Sequence, residues 1–575
     1  MKKIHSMVKL KQTAILLCLA WTACKETPPE PVKQEAIARV NQMPAIPQPL
    51  QIIDWYTLAR QFDSTVYDFK ATGPHWPLVW WDSSKHNFPQ PVVGLYTAMD
   101  DQRQGPAHNK GMFHEALATM GATLGASLVG IDKSSQQGLD YVSMLKNYFN
   151  SETKWNIMMN NTCPEVALLG GGYGRDWWYD VYPNMLFYGI YDRYPSVAGL
   201  DSLARTIAEQ FCAADSVLNG DYNHTFFDYA AMTPKSNQIC HQPDAAAGHA
   251  YVLYAAYKKF NDPRYLKAAI HALGTLQKQP KNTFYEIFMP FGALMAARLN
   301  AEQGQSFNVQ PFLDWTFNGD PECRIGWGVL VGNWNGIDIS GIVGSTTDRG
   351  GYGFLMNTFD AAWPLVPLVR YDPSYAAAIG KWMLNAANAA RFFYTQYMPD
   401  EHETIPEKAG ITKGVIGYEG IIHSPSYPEY AHLKAPVAQG DGPLWAKGNP
   451  DVSQFSVYGS GHVGIFGSII RNTNVNGILQ LNLLATDFFR DKAYPSYLYY
   501  NPYPETKKVM LPLGETAVDI YDTVSRQFIA RNVKGDYELS LNANTAAVTV
   551  LTPVKGKVKK NGNQLLVDDV VVAWK

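Results

Sequence analysis

Two similar junctions constrain the fold of this chain more than any other feature. The segment Tyr257–Tyr265 contains Asn-Asp-Pro before an alanine-rich run, and Val369–Tyr375 contains Tyr-Asp-Pro before another. Aspartate is a favoured N-cap and proline a favoured first helical residue, so Asp262-Pro263 and Asp372-Pro373 each predict a helix that starts directly after another helix. Each junction therefore predicts an αα-hairpin, and repeated hairpins predict a helical array.

Helical spacing of apolar and small residues dominates from Ile52 to about Asn501. The clearest predicted helices are Phe113–Val129, Leu200–Leu218, Ala245–Phe260, Tyr265–Leu276, Phe291–Asn300, Tyr375–Phe393 and Ile478–Phe489. Longer segments rich in Gly, Trp, Tyr and Asp separate the hairpins. We therefore expect a mainly α protein, a toroid of helical hairpins with short turns at one end and long, site-forming loops at the other.

The pattern changes after Pro502, where short β-prone runs replace helical spacing. Turn signals such as Lys560-Asn561-Gly562 separate the predicted strands, which are Val518–Tyr521, Gln527–Val533, Tyr537–Leu541, Ala546–Thr552, Gly556–Lys559, Asn563–Val567 and Val570–Trp574. The predicted organisation is a signal peptide (1–23), a tether (24–51), a helical toroid (52–502) and a small antiparallel β-domain (503–575).

The amino-terminal segment predicts export. Met1–Lys11 is basic, Thr13–Trp21 is apolar but too short to span a bilayer, and Thr-Ala-Cys24 follows. This order resembles a bacterial lipoprotein signal, although Trp21 departs from the usual aliphatic residue. The resemblance implies cleavage before Cys24, acylation of its thiol and a lipid anchor in the outer membrane, facing the periplasm or the cell surface. An ordinary secretory signal is the alternative. Lys25–Gln48, with five prolines, predicts the tether.

Composition narrows the functional classes. A net charge of −3, without a basic run of useful length, argues against a nucleic-acid surface. Charged residues make up only 17% of the chain and aromatic residues 13%, which fits an extracytoplasmic protein that handles carbohydrate. The cysteines after Cys24 lack CxxC spacing, so a zinc site is not predicted, and either disulfides or buried thiols are possible for Cys163, Cys212, Cys240 and Cys323.

The segment Gly326–Asp360 contains too much glycine for a helix, yet it also contains large apolar side chains. Long, apolar, glycine-rich loops inside compact domains are usually functional. Glycine permits close approach to a ligand, and Trp327 and Trp334 offer flat faces beside the charged Asp348 and Arg349. This mixture suits a sugar, which has apolar ring faces and a polar rim. The alternative is a tightly packed loop that closes a large core.

Three carboxylates in aromatic or glycine-rich surroundings are the candidate catalytic residues: Asp176, Asp348 and Glu419. Hydrolysis of a glycosidic bond needs an acid at the leaving oxygen and a second carboxylate that acts on water or on the anomeric carbon. The candidate substrate-binding residues are Tyr173, Arg175, Trp177, Trp178, Trp327, Trp334, Arg349 and His423. We expect their loops to converge at one end of the toroid. The alternative is that each carboxylate caps a helix or pairs with a neighbouring arginine.

Hairpins with Asp-Pro turns, aromatic and glycine-rich loops, a lipoprotein-like signal and a terminal β-domain together resemble the (α/α)6-toroid, or six-hairpin, glycoside hydrolases and polysaccharide lyases of polysaccharide-degrading bacteria. The resemblance covers Ile52–Lys575 and is one of architecture, without a family motif that would identify a catalytic residue by position. It implies an exported enzyme that cleaves glycosidic bonds of a polysaccharide or oligosaccharide without a metal or cofactor.

Two other functions are compatible with the same sequence. A polysaccharide lyase that acts on uronic acids needs a base, for which Tyr173, His114 and His423 are available, and a cation such as Arg175 or Arg349 to neutralise the substrate carboxylate. A non-catalytic, glycan-binding lipoprotein would use the same tryptophans without a pair of catalytic carboxylates.

Overall fold

The computed structural model describes residues 29–101, 104–150, 153–160, 175–424, 431–440 and 455–574. The predictions for the signal peptide, Cys24, Tyr173 and the side chain of Arg349 lie outside what the structure describes. Within the described ranges, no helix has both the length and the apolar character required to cross a membrane.

The described helices follow one another along most of the chain. They are α1 (Ala38–Asn41), α2 (Trp55–Val66), α3 (Ala116–Leu128), α4 (Tyr141–Met144), α5 (Trp177–Arg193), α6 (Leu200–Leu218), α7 (Ala245–Phe260), α8 (Pro263–Gln277), α9 (Phe288–Gln303), α10 (Val309–Asn318), α11 (Leu355–Tyr371), α12 (Ala376–Ala389), α13 (Val457–Gly461) and α14 (Val463–Ile469).

Four consecutive helix pairs form hairpins in the middle of the chain. α5 contacts α6, α7 contacts α8, α9 contacts α10, and α11 contacts α12. At the two Asp-Pro junctions, the carboxylate of Asp262 accepts the backbone N–H of Arg264 at 2.9 Å, and that of Asp372 accepts the N–H of Ser374 at 3.1 Å. Both junctions therefore form the predicted hairpins.

Six helices contact one another in a closed order. α3 contacts α5, the contacts continue through α7, α9 and α11 to α14, and α14 contacts α3. Most residues of these inner helices are buried, because alanine, glycine and large apolar residues occur on all their sides. By contrast, α6 buries Leu200, Ala204, Ile207 and Phe211, whose spacing of three to four residues is typical of an outer helix with one apolar face.

The lengths of the connections explain where functional groups gather. Two residues, Asn261 and Asp262, separate the inner helix α7 from the outer helix α8, whereas residues 319–354 separate the outer α10 from the inner α11. The same alternation of short and long connections recurs in the other hairpins. The inner helices of the hairpins therefore all begin at the end where the long segments meet.

Two inner helices contain proline and have no predicted range, although the junction at Asp372-Pro373 implies a helix where α11 ends. Pro183 lies within α5, and Pro364 and Pro367 lie within α11. Proline removes a backbone donor and usually ends a helix, so the sequence pattern argues against both helices. The apolar residues on all sides of α5 and α11 bury both helices in the core, and this tertiary packing outweighs the local effect of proline.

The helix predicted at Ile478–Phe489 is wrong. This segment contains the strand Leu479–Asn482, in which buried leucines alternate with partly exposed polar side chains. The period of two decides its structure, because it places both leucines on the buried face of a sheet. That sheet already begins at Ile470, before the boundary predicted at residue 503.

The described strands are β1 (Val79–Asp82), β2 (Val92–Leu95), β3 (Phe226–Asp228), β4 (Thr233–Lys235), β5 (Trp327–Val329), β6 (Asn333–Trp334), β7 (Ile337–Asp338), β8 (Val343–Ser345), β9 (Tyr352–Phe354), β10 (Gly420–Ile422), β11 (Val437–Gln439), β12 (Ile470–Asn472), β13 (Leu479–Asn482), β14 (Ser496–Tyr500), β15 (Lys507–Pro512), β16 (Val518–Asp522), β17 (Gln527–Val533), β18 (Asp536–Leu541), β19 (Ala546–Pro553), β20 (Val558–Asn561), β21 (Gln564–Val567) and β22 (Val570–Trp574).

Two groups of antiparallel sheets accompany the helices. The glycine-rich segment contributes to a sheet with the order β11-β10-β9-β8-β5, beside the start of α11. The carboxyl-terminal sheets have the orders β12-β13-β14-β19-β16-β17, β15-β18 and β20-β21-β22. The seven predicted carboxyl-terminal strands correspond to β16 through β22, whereas β15 was not predicted.

A disulfide joins Cys240 to Cys323, with their Cα atoms 5.7 Å apart, and Cys212 is a free thiol. Cys240 lies in the long segment before α7, and Cys323 lies in the long segment between α10 and β5. The disulfide therefore fixes two long segments to each other at the end where the inner helices begin. Cys163 lies outside the described residues.

Candidate active site

Buried acidic residues precede four of the inner helices. Glu115, Asp176 and Asp244 are the residues directly before α3, α5 and α7, and Glu286 lies two residues before α9. Because these helices begin at the same end of the fold, their acidic residues gather there. Within the described ranges, no group of three or more His, Cys, Asp or Glu residues is arranged to hold a metal ion.

Tyr179, in the first turn of α5, lies among these acids. Desolvation raises the pKa of its phenol well above the usual value, and the negative charges of Glu115, Asp176 and Glu286 raise it further. Charges act on a phenol in this way only when they lie close to it. Tyr179 therefore marks the place where residues before α3, α5 and α9 approach one another.

Glu419, which precedes strand β10, also lies near Tyr179. It is buried directly before β10, and its carbonyl oxygen accepts the N–H of Leu355, the first residue of α11, at 3.0 Å. The hydroxyl of Tyr458 donates to Glu419 Oε1 at 3.2 Å. After desolvation, the charge of Glu419 is the next cause of the raised pKa of Tyr458, and Tyr179 and Glu115 contribute as well. Glu419 therefore belongs to the same acidic cluster.

Asp176 is both a helix cap and a carboxyl group whose surroundings favour the protonated form. Its Oδ1 accepts the backbone N–H groups of Trp178 at 3.1 Å and Tyr179 at 3.4 Å. Its Oδ2 is buried and has no hydrogen-bond partner among the described residues. Burial, followed by the negative charge of Asp180, raises the pKa of Asp176 well above its usual value, and the charge of Glu286 adds to the increase. The capping alternative is thus correct, and the surroundings of the carboxyl also favour its protonated form.

Glu286 is surrounded by donors instead. The Arg324 guanidinium pairs with Oε1, and the Asn357 amide donates to Oε2 at 2.7 Å. Arg324 also reaches Asp348, with 3.5 Å between Nε and Oδ2, and it lies 3.6 Å from the ring centroid of Trp327. Hydrogen bonds to a carboxylate favour its ionised form. Asp348 therefore pairs with an arginine distant in the sequence, and this arginine connects it to Glu286.

Asp244 is a fully buried carboxyl next to Glu286. Its Oδ2 accepts the N–H of Tyr285 at 3.1 Å, and it makes no side-chain cap bond to α7. Burial raises the pKa of Asp244 to about 8, against the hydrogen bond from Tyr285, and the charge of Glu286 contributes to the increase. Burial likewise raises the pKa of Asp180 to about 7, although the charge of Arg175 opposes this.

These raised pKa values predict that the protein is more stable at pH 5 than at pH 8. The unfolded chain loses the protons of Asp244 and Asp180 near pH 4, whereas the folded chain keeps them to about pH 8 and about 7. The stabilisation that these two groups provide is therefore fully present below about pH 4. It is lost as the pH rises through their folded-state pKa values, by up to about 1.4 kcal/mol per pH unit per group. Urea unfolding at both pH values measures the difference.

Asp244→Asn should reduce this pH dependence, because the amide still accepts the Tyr285 N–H but does not ionise. Asp132→Asn is the matched control, since hydrogen bonds from Ser134 lower the pKa of the exposed Asp132 and place its effect below pH 4. An Asp244→Asn variant with the slope of the wild type between pH 5 and pH 8 would show that Asp244 ionises normally in the folded state.

Three of the predicted sugar-stacking tryptophans are core residues in this structure. Trp177 is fully buried against Tyr222, and its Nε1 donates to the His224 carbonyl at 2.8 Å. Trp327 is fully buried and donates to the Glu286 carbonyl at 3.2 Å, and Trp178 is 5% exposed. These three side chains pack in the core, and their packing holds α5 and β5 beside the acidic cluster. None of the three presents an open ring face.

Trp334 differs, because it is only partly buried. Its ring lies 4.9 Å from that of His423, with an angle of 30° between the planes. His423 Nδ1 lies 3.0 Å from the Gly350 carbonyl oxygen. Gly351 has a φ of 138°, and a Cβ at this position would lie 2.8 Å from the Trp334 ring. Glycine is therefore required here, and Trp334, on the same segment as Asp348, forms a partly exposed aromatic surface with His423, which follows β10.

Two further predicted residues occupy other surroundings. The guanidinium of Arg175 lies 4.9 Å from the ring centroid of Trp155. His114 is fully buried. Its Nε2 lies 3.0 Å from Asp82 Oδ2, and its Nδ1 lies 2.5 Å from the Tyr148 hydroxyl oxygen. Both ring nitrogens are thus engaged, one with Tyr148 and the other with Asp82, which argues against His114 as the base that abstracts a substrate proton.

Several residues of the cluster were not predicted from the sequence. Glu115 and Glu286 each stand one or two positions before a long apolar helix, as Asp176 does, and this recurrence is a signal that the sequence contains. Arg324 carried no such signal, because its partner Glu286 lies 38 residues earlier. Tyr179 and Tyr458 are also undistinguished among the 34 tyrosines of the chain.

Comparisons with known proteins give structural similarity only. No protein-family model matches the sequence, and no curated protein matches it. Among solved structures, a GH127 β-L-arabinofuranosidase from Geobacillus stearothermophilus T6 is similar over 91% of this chain and 85% of its own, with 10% identity and a TM-score of 0.35.

Two other solved structures are similar to a comparable degree. A GH127 β-arabinofuranosidase is similar over 89% of this chain and 78% of its own, with 8% identity and a TM-score of 0.31. An α-L-rhamnosidase from Dictyoglumus thermophilum is similar over 80% of this chain and 48% of its own, with 9% identity and a TM-score of 0.32. Their names belong to the class that the sequence resembles, but TM-scores this low establish neither a family nor an activity for this chain.

Proposed function

We propose that this protein is a glycoside hydrolase in which Asp176 is the general acid and Glu286 is the second carboxylate. One observation carries the proposal: two neighbouring carboxyl groups have environments that favour opposite protonation states. Burial and negative neighbours raise the pKa of Asp176 and favour its protonated form, whereas Arg324 and Asn357 donate to Glu286. Pairs of this kind divide acid and base roles in enzymes that hydrolyse glycosides.

The proposed reaction consumes one water molecule. Asp176 gives its proton to the glycosidic oxygen as the bond between that oxygen and the anomeric carbon breaks. Glu286 takes a proton from water, whose oxygen forms the new bond to the anomeric carbon, and proton exchange with solvent restores both groups. If Glu286 instead attacks the carbon directly, water cleaves the resulting ester in a second step.

The fold that we propose for this site is an (α/α)6 toroid. The closed order of contacts among α3, α5, α7, α9, α11 and α14 supports an inner ring, and the four hairpins support an outer position for α6, α8, α10 and α12. The acidic cluster then lies at the centre of the ring, at the end where the inner helices begin. The partial positive charge of helix amino ends stabilises a carboxylate or a developing negative charge there.

The remaining predicted residues take supporting roles in this proposal. Asp348 pairs with the Nε of Arg324, while another nitrogen of the same guanidinium pairs with Glu286. In this proposal Asp348 positions the arginine and is not itself a catalytic residue. Glu419, bonded to Tyr458, orients that hydroxyl toward the substrate. Trp334 and His423 provide the stacking surface for a sugar ring.

A hydrolase accounts for the site better than a lyase. A tyrosine that acts as the base of a lyase has to lose its proton near neutral pH. Desolvation and the surrounding carboxylates raise the pKa of Tyr179 and of Tyr458 well above the usual value, so both phenols remain protonated. The same acids repel the carboxylate of a uronic acid. Protonated phenols instead serve as donors to sugar hydroxyl groups.

A screen of glycans with the purified protein tests the proposed function. We expect release of reducing ends from at least one plant, algal or host glycan, without an unsaturated product that absorbs in the ultraviolet. Turnover that accumulates an unsaturated product would support the lyase. Binding of a glycan without turnover would support the non-catalytic lipoprotein.

We also propose that the protein is exported and anchored through a lipid on Cys24. The disulfide between Cys240 and Cys323 supports export, because such bonds persist mainly in oxidising compartments. Cys24→Ser should move most of the protein from the membrane fraction to the soluble extracytoplasmic fraction. A control variant, Cys212→Ser, should remain with the membrane. Unchanged fractionation of Cys24→Ser would contradict the lipid anchor.

A further inference from the structure

A series of linked side chains leads from the surface to the interior of the site. The exposed fraction of the side chain falls from 42% at Asp348 to 20% at Arg324 and 8% at Glu286. Asp244, which lies close enough for the charge of Glu286 to affect it, is fully buried. The linked side chains therefore run from an exposed end at Asp348 to a fully buried end at Asp244, which we call the closed end.

Polar atoms without partners collect at the closed end. Gln242 is fully buried, and neither its Oε1 nor its Nε2 has a hydrogen-bond partner among the described residues. The same holds for Asp244 Oδ1. Buried polar groups are nearly always paired, and an unpaired one reduces stability. Three such atoms within three residues therefore indicate a missing partner that is itself polar.

The same segment is held rigidly. Cys240, two residues before Gln242, is joined to Cys323, which precedes Arg324. The backbone N–H of Gln242 donates to the His224 carbonyl at 3.0 Å. The unpaired groups are thus fixed in place relative to the guanidinium that holds Glu286, as a binding site requires.

We propose that Gln242 and Asp244 form the closed end of the substrate pocket and bind hydroxyl groups of the terminal sugar, so that the enzyme acts on chain ends. This inference rests on the proposed function. The Gln242 amide both donates and accepts, and a protonated Asp244 donates through Oδ1, which matches neighbouring sugar hydroxyls. A pocket that ends at these residues has no exit for a chain in both directions, so an internal glycosidic bond cannot reach Asp176.

The products of hydrolysis test the direction of attack. Linear oligosaccharides of increasing length are prepared from the glycan that the screen identifies. Each is digested, and the products are sampled at early times. We expect one short product of constant length from the beginning, together with substrates that shorten by that length. Early products of many lengths would overturn the inference while leaving the proposed function intact. The absence of turnover on every glycan would overturn the proposed function itself.

Gln242→Leu tests the residue, because leucine preserves the volume but removes both hydrogen-bonding groups. We expect kcat/KM to fall about tenfold to a hundredfold, mainly through KM, while thermal stability is unchanged or higher. Gln480→Leu, which removes a glutamine bonded to Tyr499 in a carboxyl-terminal sheet, should leave KM unchanged. A Gln242→Leu variant with unchanged KM would mean that Gln242 meets only buried water.

Binding of the released sugar separates affinity from turnover. The probe is the free sugar product, titrated calorimetrically into the Asp176→Asn protein. We expect saturable binding. Adding Gln242→Leu to this protein should raise the Kd by the same factor by which Gln242→Leu raises KM. Equal binding to both proteins would overturn the assignment of Gln242 to the pocket, whatever the activity of the enzyme.

Discussion

Asp176→Asn is expected to lower kcat by about 10²- to 10⁴-fold, the usual contribution of a general acid. Asparagine is as good an N-cap as aspartate, so the bonds from Trp178 and Tyr179 to Oδ1 persist. The variant also removes a buried carboxyl group that has no partner for Oδ2 among the described residues. We therefore expect stability within about 1 kcal/mol of the wild type, and an initial-rate assay measures the loss of activity.

Two further variants show whether this loss is specific. Asp262→Asn changes an exposed cap of the outer helix α8 and should leave kcat unchanged. Glu286→Gln removes the second carboxylate and should lower kcat by a similar factor, with an altered pH profile on the acidic side, where the base loses its activity as it is protonated. If Asp176→Asn keeps more than about a tenth of the wild-type rate, Asp176 is a structural cap only.

Gly464→Ala is expected to destabilise the protein by about 3 kcal/mol, the upper part of the range for an overpacked core. A Cβ at Gly464 in α14 would overlap the backbone carbonyl of Gly125 in α3. Backbone cannot rotate away as a side chain can, so the two helices have to separate. Because α3 and α14 complete the closed order of contacts, activity should fall together with stability. Urea unfolding measures the change.

The same substitution in an outer helix provides a matched control. Gly274 lies inside α8, and no atom lies within 4 Å of a Cβ at this position. Gly274→Ala should therefore stabilise the protein by about 0.5 to 1 kcal/mol, since alanine is the better helix former. If Gly464→Ala is as stable as the wild type, α3 and α14 do not pack as closely as described here.

Much of the helical part could be predicted because local signals agree with the packing there. The outer helix α6 has one apolar face, and its predicted bounds, Leu200–Leu218, are those of the structure. The inner helices α5 and α11 are apolar on all sides and contain proline, so they lack both the periodicity and the propensity that identify a helix. Their structure depends on tertiary contacts that a local pattern does not contain.

The site was predictable only where its chemistry is local. Asp176 was found beside Trp177 and Trp178, although those tryptophans turned out to form core rather than a stacking surface. The role proposed for Glu286 depends on Arg324 and Asn357, which are distant in sequence. Composition indicates that aromatic residues are abundant, but it does not distinguish a buried ring from an exposed one.

Hydrolysis in water labelled with heavy oxygen tests the proposed activity at the level of the bond that forms. A glycan that the enzyme turns over is digested in labelled water, and the products are analysed by mass spectrometry. We expect one labelled oxygen per cleaved bond, at the new reducing end, while the other product keeps the unlabelled glycosidic oxygen. The rate at which labelled product forms should fall in parallel with kcat in Asp176→Asn and Glu286→Gln. An unlabelled, unsaturated product, or labelled product formed at equal rates by these variants, would contradict a hydrolase that uses this pair of carboxylates.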